Sequence, residues 1–178
     1  MHTRLFFTAI IGTTALLAIF AFSSKPKTGE CACKLKTYIT HNDTSSVRIL
    51  NKPNGTLKFL MKADRDEPTS LTVSASKRGW LQVEKASGDD NEKAIGGWVA
   101  GTLVSVFTRN AEDEGLVLFK KADATSGEAG QLWGMQEVAV NGCCGDWALI
   151  QGKDKSGKPV KGWLDPKMIC DKPDGDCK

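Results

Sequence analysis

From residue 46 onward the apolar positions fall in short runs, and clusters of turn formers separate the runs. Val47-Arg48-Ile49-Leu50 is β-branched and ends at Asn-Lys-Pro-Asn-Gly, residues 51–55. A run bounded in this way reads as a strand. Leu71-Thr72-Val73 reads as another. In Trp80-Leu81-Gln82-Val83 a period of two puts Trp80 and Gln82 on one face, with Leu81 and Val83 on the other. The polar stretch 84–94 reads as a hairpin tip, and Ile95-Gly96-Gly97-Trp98-Val99 as the strand that returns from it. Residues 137–140 (EVAV), 147–150 (WALI) and 160–164 (VKGWL) follow the same plan, with a polar tip at 152–159. Apart from one turn after each Gly-Trp, helical periodicity is missing beyond the N-terminal apolar run. The pattern predicts an all-β chain of small barrels or sandwiches.

The runs also repeat. Residues 47–53 align with 116–122, 78–83 with 145–150, and 95–104 with 160–169, at offsets of 69, 67 and 65 residues. Three blocks recur in one order at nearly one spacing, which marks a duplicated unit. Copy one carries Val47-Arg48, Pro53, Gly79-Trp80-Leu81-Gln82-Val83, Gly97-Trp98-Val99 and Leu103-Val104. In these residues it resembles the bacterial SH3-like domain family. Copy two keeps Gly162-Trp163-Leu164 and Met168-Ile169 but has Leu116-Val117 for Val-Arg and Asp146 before Trp147. The resemblance implies two tandem SH3-like barrels, at 46–108 and 115–172. A polyproline ligand is disfavoured, because Ala100, Leu103, Asp165 and Met168 stand where that groove needs proline and tyrosine.

The N-terminus reads differently. Residues 5–22 carry no charge, follow Arg4, and precede a polar stretch broken by Pro26. Residues 1–23 therefore read as a signal peptide or an uncleaved membrane anchor. Residues 24–45 form a linker with Cys31 and Cys33, and 173–178 a tail with Cys177. Export makes the six cysteines (Cys31, Cys33, Cys143, Cys144, Cys170 and Cys177) a disulfide framework. Adjacent cysteines bridge each other with strain. Cys143 and Cys144 are therefore expected to reach terminal cysteines and tie a tail to the second barrel.

The net charge of +3 is spread along the chain, without the basic stripe that nucleic acid needs. Only His41 remains once residues 1–23 are set aside, which leaves little for Cys-His or Ser-His-Asp catalysis. No Cys-x₂₋₄-Cys pair signals structural zinc. The sequence thus predicts an exported, non-enzymatic binding module without a cofactor, at the periplasm or outside the cell. Its expected partner is a cell-wall polymer or an envelope protein, and its only membrane contact would be an N-terminal anchor. An inhibitor or immunity protein that binds an enzyme, and a thiol protein for metal or redox work, are the alternatives. Trp80 and Trp147 begin equivalent strands beside a turn, and Trp133 sits between glycines on the long first loop of copy two. These three are the candidate ligand contacts, whereas Trp98 and Trp163 read as sheet packing.

Overall fold

The computed structural model describes residues 30–39, 46–63, 69–88 and 91–170. The 1–23 segment, His41, Cys177 and the tail lie outside the described residues. Everything described is strand, turn or single 3-10 turn, so the chain is all-β. Strand β1 spans Glu30–Ile39. The first half then contains β2 (Ser46–Leu50), β3 (Leu57–Lys62), β4 (Ser70–Lys77), β5 (Trp80–Gly88) and β6 (Asn91–Ala100), followed by a 3-10 turn at Gly101–Leu103 and β7 (Val104–Thr108). The second half contains β8 (Gly115–Phe119), β9 (Glu128–Trp133), β10 (Glu137–Cys144), β11 (Trp147–Lys153) and β12 (Pro159–Leu164). A 3-10 turn at Pro166–Met168 and β13 (Ile169–Cys170) complete it.

The duplication holds in the pairing. From the outside inward the first half runs β3-β2-β6-β5-β4, and the second runs β9-β8-β12-β11-β10. Corresponding strands occupy corresponding places. Even the register agrees, since Leu50 pairs with Trp98 and Phe119 with Trp163. The Gly-Trp motif has a packing reason in both halves. A Cβ on Gly97 would collide with Ile49, and one on Gly162 would lie 2.7 Å from the Cβ of Leu118. The first strand of each half crosses the return strand so closely that only glycine fits.

Two closed barrels do not result. Among the described residues twelve strands form one ladder that runs from β3 to β9 and does not close, and β13 joins the same sheet beside β7. Closure of the first half would require β7 to return to its own unit. Instead one edge of β7 pairs with β10 of the second half, at Ser105–Phe107 against Glu137–Ala139. Its other edge is shared, with Val104 and Ser105 on β1 and Phe107 and Thr108 on β13. Val104, Ser105, Val106 and Thr108 are all buried, which suits a strand covered on both faces. The polar stretch 84–94 is also more ordered than a tip. β5 continues to Gly88 and β6 starts at Asn91, with Lys85 opposite Ala94.

The largest departure concerns the expected linker. Glu30–Ile39 is a ten-residue strand in the middle of the sheet, paired with β4 along its length and with β7 at its end. Its sequence alternates: Leu35, Thr37 and Ile39 are buried, while Ala32, Lys34 and Lys36 are exposed. Tyr38 stacks on Phe107 with ring centroids 5.7 Å apart. The bridges follow from this placement. Cys31 is bonded to Cys144 and Cys33 to Cys143, with Cα separations of 5.1 and 5.8 Å. Cys143 and Cys144, at the end of β10, thus reach different cysteines near the N-terminal end, but they fasten a sheet strand rather than a tail. Cys170 is disulfide-bonded as well. Backbone bonds reinforce the seam, because Lys34 N donates to Gly145 O at 3.0 Å and Gly145 N to Ala32 O at 2.9 Å.

The two bridges span 113 and 110 residues, so whichever remains still closes the long loop. Only the loss of both releases it. Replacing Cys31 and Cys144 by alanine is expected to cost about 2 kcal/mol, and replacing all four cysteines about 7 kcal/mol, from loop entropy. Urea denaturation of the two variants measures the difference, and equal, additive losses would contradict nested closure.

Candidate functional site

Trp133 does not lie on a loop. It closes strand β9, opposite Gly115 of β8. A Cβ on Gly115 would stand 3.6 Å from two carbons of the indole, so the ring lies over the bare glycine backbone. Gln136 fixes the base of the site. Its Nε2 donates to Trp133 O at 2.7 Å and to Lys153 O at 2.8 Å, and its Oε1 accepts from Lys153 N at 3.0 Å. These bonds tie Trp133 to the root of the β11–β12 turn.

That turn is built around Asp154. Its Oδ1 accepts from the Ser156 hydroxyl at 2.7 Å, from Ser156 N at 2.8 Å and from Lys158 N at 2.9 Å. The hydroxyl bond from Ser156 and the backbone bond from Lys158 hold the Asp154 carboxyl below its ordinary value of 3.8. Gly157, at φ +80°, completes the bend. The rigid turn carries Lys155 over Trp133, with Nζ 4.0 Å from the ring centroid. This distance is within reach of a cation–π attraction.

Two hollows lie beside this ridge, with volumes of about 680 and about 530 Å³, and both are lined by Trp133, Asp154 and Lys155. The larger also presents Glu137 and Gln151, and the smaller Glu128 and Gln131. A flat indole between amides and carboxylates offers two things at once. The ring gives apolar area with an N–H handle, and the surrounding groups donate and accept hydrogen bonds. Such a surface can hold a polyhydroxylated ring.

The other tryptophans separate into three environments. Trp80 and Trp147 stand at matching places, opposite Lys77 and Cys144, and both are half-buried. Trp147 packs edge-on to Phe119 at 5.6 Å. Neither lines the two hollows beside Trp133. Trp98 is buried at 8 % exposure, as packing requires. Its counterpart Trp163 is half-buried and faces a cleft between the halves, together with Arg78 and Lys161. Sequence reasoning missed these three, and it missed Lys155. Lys161 and Trp163 are two apart on one strand, so a period-two reading could have put them on one face. The placement of Arg78 beside them depends on the meeting of the halves, which no local signal shows.

Among the described residues no cysteine is free, and no group of three or more His, Cys, Asp or Glu side chains could hold a metal ion. Paired sulfurs are not thiolate ligands. No helix among the described residues is long and apolar enough to cross a membrane. No family model, curated protein or solved structure matches the chain.

Because Asp154 binds the turn through its charged form, its contribution is complete at neutral pH. It fades only as the pH falls through the depressed folded-state value, below 3.8. Asp154→Ala is expected to free Lys155 from the ring and to shift the tryptophan emission at pH 7. The global melting point should move little, since the turn is exposed. An unchanged emission spectrum would show that the turn does not position Lys155.

Proposed function

We propose that the chain is an exported, non-enzymatic binding protein that recognises a cell-envelope polymer, with the Trp133 ridge as its contact. The observation that carries the reading is the indole held between two polar hollows by Gly115, Gln136 and the Asp154 turn. This is how a repeating glycan is gripped, by ring stacking at one point and hydrogen bonds on both sides. Export is supported by the bridges, which persist in oxidising compartments outside the cytosol. Kinship with SH3-like modules is supported by the shared strand order of the halves and by the single 3-10 turn that follows each Gly-Trp strand. In this reading the units are SH3-like in plan but fused through β1 and β7.

The test is co-sedimentation of the oxidised protein with insoluble peptidoglycan. Trp133→Ala should weaken binding about tenfold, the equivalent of one lost ring contact. Trp80→Ala and Trp147→Ala should leave it within about twofold, since neither ring opens on the hollows. A wild type that does not sediment would overturn the wall-binding reading and favour an envelope protein as partner. Loss with Trp80 or Trp147 rather than Trp133 would move the contact to the paired strand ends.

A further inference from the structure

A second cleft, of about 530 Å³, opens where the two halves meet. Its lining includes Arg78 from the β4–β5 turn of the first half, Asn141, Leu149, Lys161 and Trp163 from the second, and Cys31 from β1. Neither half forms it alone. The walls are fixed: the Ser76 hydroxyl accepts from Cys143 N and donates to Cys143 O, both at 2.9 Å, and the Cys31–Cys144 bridge pins β1 to β10.

Three features point to a ligand. The first is charge. Arg78 and Lys161 are both cations, no carboxylate lines the cleft, and among the described residues neither cation makes an ion pair. The second is the backbone of Arg78. It sits at φ +50° and is followed by Gly79 at +82°, the two positive angles of a type I′ hairpin turn. That turn favours Asn or Gly at its first position. In the second half the matching position is Gly145, at φ +58°. The first half thus keeps an arginine where its backbone is disfavoured, and that arginine lines the cleft. A disfavoured backbone kept at one residue of a repeat is a reason to look for a function there. The third is Trp163, half-buried here although its counterpart Trp98 is covered.

We infer that this cleft binds an anionic sugar, a pyranose bearing a carboxylate or a phosphate. The ring lies against Trp163 and the charge is neutralised by Arg78 and Lys161, with the Asn141 amide available to a hydroxyl. The site is separate from the Trp133 ridge and does not rest on it.

Calorimetric titration of the oxidised full chain with glucuronate, glucose 6-phosphate, inorganic phosphate and glucose tests the inference. The expected result is saturable binding of glucuronate or glucose 6-phosphate, weakened as salt rises from about 50 to about 500 mM. Which of the two binds more tightly identifies the acid group. Arg78→Asn restores the preferred Asn-Gly pair of the turn. It should therefore melt no lower than wild type while losing affinity about tenfold or more. Lys161→Ala should lose a similar factor, and Trp163→Ala should abolish detectable binding. Every titration is made in a Trp133→Ala background, which takes the ridge away as a sugar site and keeps the result independent of peptidoglycan sedimentation. Four outcomes would overturn the inference: no saturable binding of either anionic sugar up to about 10 mM, glucose binding equally well, inorganic phosphate binding as tightly as glucose 6-phosphate, or undiminished affinity in an Arg78→Asn/Lys161→Ala variant.

Discussion

The structure depends on one strand held far from its chain neighbours. β1 lies between the halves, hydrogen-bonded to β4 and β7, and two disulfides fix it to β10. Each half is a small sheet, and a unit of this size buries too little surface to be secure alone. A shared strand and two covalent ties convert two marginal units into one body with a continuous core. The pairing is ordered by depth: Cys143 is fully buried and Cys33 packs against the core, while Cys31 and Cys144 are partly exposed. Gly101 shows how closely the halves meet, since a Cβ there would collide with the carbonyl oxygen of Val140.

This arrangement lets a duplicated sequence specialise. Strand order and register are common to the halves, so the differences fall on side chains and turns. Gly145 in one turn corresponds to Arg78 in the other. Trp163 stays open where Trp98 is covered. The β11–β12 turn is short and tightly bonded around Asp154, whereas the corresponding β5–β6 hairpin is a longer ribbon. The second half carries the Trp133 ridge and most of the seam cleft, and the first supplies Arg78 to it.

Tyr38 shows what the seam costs. It is fully buried, and its hydroxyl has no hydrogen-bond partner among the described residues. Burial, and after it the charge of Glu137, pushes the phenol well above its ordinary range, so it stays neutral. An unpaired buried hydroxyl is unfavourable. The ring contact with Phe107 and the apolar surroundings offset it.

The strands are written locally, because alternation is local: 80–83, 147–150 and 160–164 each declare their two faces within a few residues. The duplication is equally plain in the residues, as is the joining of Cys143 and Cys144 to different partners, since adjacent cysteines bridge each other poorly. The alternation Cys31-x-Cys33-x-Leu35-x-Thr37-x-Ile39 was equally legible as a strand, but nothing local says which strand it would lie beside. The folded chain alone sets β7 beside β10, leaves the sheet open and brings Cys31 to Cys144 across 113 residues. The same is true of Arg78 and Trp163 sharing a cleft and of Lys155 covering Trp133. Strand partners are chosen by complementary edges and buried area summed over the whole chain, and a period of two carries no record of that sum.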